Sequence, residues 1–142
     1  MPKPKYPQHK ALDPFFKIVM KGLKGLVDGN HYFDTIADDA KFEFLYRFPG
    51  WPPQIRGRDN LIAAYSGYGQ SIKLHQCNKL FVHYDKEAGV VTLEYEVHGN
   101  ALKTGVTYDN RFASVVTIKN RKIVRWRDYM DSLAAWQALN GD

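Results

Sequence analysis

Between Ser71 and Asp131 the chain reads as strands, with stretches in which side chains alternate in character at a period of two. Four runs carry it: Ile72–Tyr84, Gly89–Leu102, Thr104–Lys119 and Lys122–Asp131. Short polar breaks separate them: Asp85-Lys86-Glu87-Ala88, then Lys103, then Asn120-Arg121. Breaks of that length join strands lying side by side, so consecutive strands are expected to pair antiparallel. The second half of the chain is therefore a meander.

The first half has another rhythm. Asp13-Pro14 suits a helix start, with Asp as N-cap and Pro at the first helical position. Phe15, Ile18, Val19, Leu23, Leu26 and Val27 follow at helical spacing, with Gly29 as the stop. A short second helix is expected from Asn30 through Tyr32, Phe33 and Ile36 to an acidic turn at Asp38-Asp39. Phe42, Phe44, Tyr46 and Phe48 then alternate with Lys41, Glu43, Leu45 and Arg47, one strand with an aromatic face. Pro49-Gly50-Trp51-Pro52-Pro53 breaks it as a loop, with Trp51 a candidate lid. Gly57-Arg58-Asp59 opens another helix with Leu61, Ile62, Tyr65 and Tyr68 inside, and Leu133–Leu139 reads as a tail helix. Helices first and a meander after is an α+β layout, with helices packed on the concave face of a curved, mostly antiparallel sheet.

A chain of 142 residues, 44% apolar and 25% charged, is expected to form a single domain. Twenty basic against fifteen acidic residues give +5, yet Lys3, Lys5 and Lys10 lie in a Pro-rich start without an acid. Residues 1–12 read as a flexible basic leader and 13–142 as the domain. Its signs are interleaved, which argues against a nucleic-acid partner. No apolar run reaches the ~20 residues of a membrane span, and Met1–Lys10 lacks a signal-peptide core. Cys77 is the single cysteine, so no internal disulfide and no paired-cysteine site is expected. A cytoplasmic setting fits these features.

The two-residue period also assigns faces. In the last strand Val124, Trp126, Asp128 and Met130 share one side, while Arg125, Arg127 and Tyr129 share the other. The three apolar neighbours should turn inward and take Asp128 with them. A carboxyl among apolar groups loses hydration, its pKa rises, and it becomes an acid or base useful near neutrality. By the same rule Tyr95 and Val97, then Tyr108, Asn110 and Phe112, face inward over a floor of Phe42, Phe44 and Trp126. One ionisable group, a few neutral hydrogen-bonders and an aromatic wall make up a small-molecule site.

Val124-Arg125-Trp126-Arg127-Asp128-Tyr129-Met130-Asp131, following Tyr108-Asp109-Asn110-Arg111-Phe112, resembles the C-terminal half of SnoaL-like proteins. These belong to the nuclear-transport-factor-2-like superfamily. Ala37-Asp38-Asp39-Ala40 and Ile55-Arg56-Gly57-Arg58-Asp59 match as well, so the resemblance covers about residues 13 to 135. It implies a cone-shaped fold that hosts enzymes and non-enzymes alike. The Trp-Arg-Asp-Tyr block is most similar to limonene epoxide hydrolase, which implies an acid/base role for Asp128 on an attacking water and a pocket-lining role for Trp126. The Arg-x-Asp pair of those enzymes falls on Tyr95 and Val97, or with a slip on Glu94, Glu96 and His98, and is not restored. The general-base Asp of ketosteroid isomerase falls at Phe44 and its first-helix Tyr near Gly22, while its pocket acid has a polar counterpart in Asn110. The convex sheet face commonly pairs two subunits in this superfamily, which implies a homodimer through Arg125, Arg127, Tyr129 and Glu94.

Asp128 is thus the expected proton carrier, with Tyr95, Tyr108 and Asn110 holding a substrate oxygen. Trp126, Phe112, Phe42, Phe44, Met130 and Val97 shape the cavity around an apolar small molecule. His98 is a second candidate proton carrier if a bulge at Gly99 turns it inward. Asp131 is expected to cap the tail helix. His9, His31, His75 and His83 show no metal-ligand spacing. Gly67-Tyr68-Gly69 follows no strand, so neither a metal nor an organic cofactor is expected. An acid/base isomerase, cyclase or hydrolase and a non-catalytic binding protein both fit this equipment.

Overall fold

Asp13 and Pro14 open helix α1 (Asp13–Gly22) in a computed structural model that describes residues 6–141. Asp13 is the first helical residue, and Leu12 occupies the cap position. The helix stops at Gly22 and not at Gly29. Gly22 lies so close to the sheet that an added Cβ would sit 2.6 Å from Leu93 Cδ2, and Gly25 then takes a φ of +84°. Leu23 remains fully buried beyond the helix end, so the apolar face continues through a turn.

The expected second helix is a single 3-10 turn, Tyr32–Thr35, and the acidic turn is strand β1 (Ile36–Phe44). Pairing decides this: β1 lies parallel to β6 (Lys122–Met130), matching Phe42 with Trp126 and Phe44 with Asp128. An irregularity between Ile36 and Lys41 leaves Asp38 and Asp39 in solvent. Tyr46 and Phe48 leave the strand but keep their inward aspect. A short strand β2 (Gln54–Arg56), not expected from the sequence, folds back on β1.

Helix α2 (Arg58–Ser71) leads into β3 (Ile72–Asp85), β4 (Val90–Ala101), β5 (Thr107–Lys119) and β6, each antiparallel to the one before. The sheet order is β2-β1-β6-β5-β4-β3. Asp131 caps helix α3 (Ser132–Asn140) by accepting the Leu133 and Ala134 N–H groups. The architecture is α+β with a curved six-stranded sheet. No helix among the described residues is long and apolar enough to cross a membrane.

The leader reading changes at its inner end. Pro7–Leu12 forms a 3-10 turn with His9 and Leu12 buried, and His9 Nε2 lies 2.7 Å from the Ile62 carbonyl of α2. Residues 1–5 lie outside the described part.

Candidate active site

The alternation of β4 holds in the fold and that of β6 holds from Trp126 onward, but a bulge at Val124, where Thr117 pairs with Arg125 and Ile118 with Ile123, puts Ile123 in the core in place of the expected Val124. Tyr95, Tyr108, Asn110, Ser114, Trp126 and Asp128 are all buried on the inner face. Asp128 is 5% exposed and opens onto a cavity of about 460 Å³ between the sheet, α2 and the Phe48–Pro52 loop.

Two donors hold one of its oxygens. Ser114 Oγ donates to Asp128 Oδ1 at 2.6 Å, and Trp126 Nε1 donates to the same oxygen at 3.1 Å. Ser114 Oγ lies 2.9 Å from the Tyr95 hydroxyl. Because the Ser114 proton is given to Asp128, Tyr95 supplies its own proton to Ser114. Among the described residues no donor reaches Oδ2. Burial raises the Asp128 pKa to about 6, and the Ser114 and Trp126 hydrogen bonds offset part of that rise.

The expected residues separate into two shells. Phe44, Val97, Tyr108, Phe112, Met130 and Asp128 line the cavity. Tyr95, Phe42 and Trp126 lie behind that lining. Tyr95 stacks on Phe112 at 5.6 Å and is tied to Ser114, while Trp126 stacks on Phe42 at 6.3 Å. Asn110 also sits behind. Its amide donates to Tyr108 Oη at 2.8 Å and to the Asp131 carbonyl at 3.0 Å, and its oxygen accepts the Arg111 and Asp131 N–H groups. Asn110 therefore holds Tyr108 and the end of β6.

His98 does not join them. Its Nδ1 lies 2.6 Å from Asp109 Oδ1 and its Nε2 3.0 Å from Asn78 Oδ1, on the outer face. The irregularity near Gly99 falls on β3, between Leu74 and Gln76, so β4 keeps its parity and His98 is not turned. Glu94 and Glu96 also face outward, where they meet His83 and Lys79 on β3.

The sequence reading overlooked Ser114 as a site residue, although its inward parity was visible. It also overlooked Tyr46, Tyr65 and Tyr68, which line the cavity. Tyr65 and Tyr68 stand on the expected inner side of α2, and that was the available signal. Trp51 covers this wall, stacked on Tyr65 at 6.1 Å and edge-on to Phe44 at 5.3 Å. Tyr68 and Tyr108 both line this wall. Burial pushes Tyr108 up to about 12 and raises Tyr46, Tyr65 and Tyr68 further, so all four phenols stay protonated near neutrality. Among the described residues no group of His, Cys, Asp and Glu side chains is placed to hold a metal ion.

Known proteins share this frame. The uncharacterized protein YesE of Bacillus subtilis is 29% identical over 104 residues, covering 73% of this chain and 71% of its own. A Bacillus subtilis structure assigned provisionally as an isomerase superposes with a TM-score of 0.75 at 23% identity, covering 98% of each chain. A SnoaL-like protein of Jannaschia sp. CCS1, provisionally a polyketide cyclase, gives a TM-score of 0.67 at 15% identity and 99% coverage of each chain. These structures share the nuclear-transport-factor-2-like fold. Residues 27–126 match the SnoaL-like domain, and the chain belongs to that family.

Proposed function

We propose that this protein is an isomerase, cyclase or hydrolase of SnoaL-like type that moves a proton on an apolar small molecule with Asp128. One observation carries the reading: Oδ1 is tethered by Ser114 and Trp126, while Oδ2 faces an aromatic-walled cavity. A carboxyl titrating at about 6 is divided between acid and base forms near neutrality, where either role is open to it. Tyr108, steadied by Asn110, would hold the substrate oxygen on which charge develops. Isomerisation, aldol-type cyclisation and water addition share this equipment, and none of the three calls on a cofactor.

The test uses nitrobenzisoxazole, from which a carboxylate in an apolar site removes the ring C–H proton. The C–H pair becomes part of the nitrile, the N–O bond breaks, and a cyano-nitrophenolate absorbs visibly. The wild-type rate should rise as Asp128 ionises, through about pH 6. Asp128→Asn should lose at least ~10²-fold. Binding of the probe with no turnover in wild type would favour a non-catalytic binding protein on the same fold.

A further inference from the structure

We propose that the Asp128 cavity is an anion filter: its ligand carries no carboxylate, sulfonate or phosphoryl group where it is buried. The inference rests on the same cavity as the proposed function and adds the chemical class of what enters it. Among the described residues the lining contains no lysine, arginine or histidine, and Asp128 is its single acid. An anion placed there would meet a carboxylate with no cation to offset it, in a setting where water screens little.

The groups around Asp128 support the same conclusion. Five phenols among the described residues feel its charge: Tyr32 before β1, Tyr46 after it, Tyr65 of α2, Tyr95 of β4 and Tyr108 of β5. Asp128 raises the pKa of each, so a second negative charge in this space is disfavoured wherever it sits. Of the three cations of β6, Arg125 and Arg127 stand on the opposite sheet face, where Arg125 pairs with Glu43 at 2.6 Å, and Lys122 at the far end of the strand is held by the Asp28 and Asp34 carbonyls. Neutral donors remain: the cavity-lining phenols suit a ketone, ester or hydroxyl oxygen.

A matched pair of probes tests the filter, naphthoate and its methyl ester, with affinities read from quenching of the cavity tryptophan and tyrosine fluorescence. Well above the range near 6 in which Asp128 titrates, the ester should bind at least ~10-fold more tightly than the acid. The gap should narrow as pH falls through that range, because Asp128 loses its charge while naphthoate keeps its own. Asp128→Asn should close most of the gap at every pH. Equal affinities in wild type, or a gap unchanged by pH and by Asp128→Asn, would overturn the filter and leave the cavity intact as a binding site. Failure of both probes to bind at their solubility limit would overturn the cavity itself as the site, and the proposed function with it.

Discussion

Ser114 Oγ stands 2.6 Å from Asp128 Oδ1, and the same hydroxyl receives Tyr95 at 2.9 Å. The three side chains form a directed chain across β4, β5 and β6 that ends on one carboxylate oxygen. With Ser114 and Trp126 both donating to Oδ1, a proton taken up by Asp128 is directed to Oδ2 on the cavity side. Ser114 is thus a positioning residue. It touches Asp128 and lies outside the cavity lining.

Ser114→Ala removes a hydrogen bond that favours the charged carboxylate, so the Asp128 pKa should climb above 6 by about one pH unit. Tyr95→Phe should move it the same way by less, since its hydroxyl acts through Ser114. Carbon-13 NMR of the aspartate carboxyls, with Asp128→Asn to assign the signal, reads the change without a substrate. An unmoved titration in Ser114→Ala would remove the serine from this role.

The same buried acid should weaken the fold at neutral pH. Asp128 titrates at about 6 in the folded chain against 3.8 for an ordinary aspartate, so between those values the folded state holds a proton that the unfolded state has released. Stability is therefore greatest below that window and falls as pH rises through it. At ~1.4 kcal/mol per pH unit of separation the loss reaches about 3 kcal/mol. Asp128→Asn keeps an acceptor for Ser114 and Trp126 without the charge. It should be more stable than wild type at pH ~8 by a similar amount, with the difference vanishing near pH ~4. Urea unfolding at the two pH values measures this.

Face assignment in β4, β5 and the outer part of β6 was legible because the short breaks between those strands set the register, which slips by one residue at Val124 next to the Asn120-Arg121 turn. A side chain's parity along the sequence is then its side of the sheet. Asp128 was found that way, and Ser114 could have been. The end of α1 was not legible: it depends on Gly22 meeting Leu93, a contact made across the sheet. Nor was the early start of β1, since its partner β6 follows some eighty residues later and pairs with it in parallel. The wall built by Tyr46, Trp51, Tyr65 and Tyr68 joins a helix to an irregular loop, and no single period spans both.

Gly99 offers a sharp test of the β3–β4 crossing. A Cβ there would overlap the Lys73 carbonyl oxygen and sit 2.9 Å from Leu74 Cα, and both neighbours are backbone atoms that cannot swing aside. The irregularity in β3 lies against this point. Gly99→Ala should cost about 2 kcal/mol or more, read as a lower urea midpoint. Gly67→Ala, where an added Cβ meets nothing within 4 Å, should cost far less and serves as the control.

The outer sheet face leads to the proposed assembly. The helices cover the other side, so Phe81 at 63% exposure and Tyr129 at 39% face outward without cover from the chain itself. Beside Tyr129 on β6 stands Arg127, whose Nε is buried without a hydrogen-bond partner among the described residues. A buried guanidinium N–H left unpaired is costly, and an acceptor from a second copy would satisfy it. Arg125 and Glu94 already have partners within the chain, Glu43 and His83, and would sit at the rim. Size-exclusion chromatography with light scattering should give twice the chain mass of 16.4 kDa. Arg127→Glu should shift the protein toward monomer while the far-ultraviolet spectrum stays unchanged, because the substituted side chain lies outside the core. A wild-type monomer at working concentration would remove this face as a self-association surface.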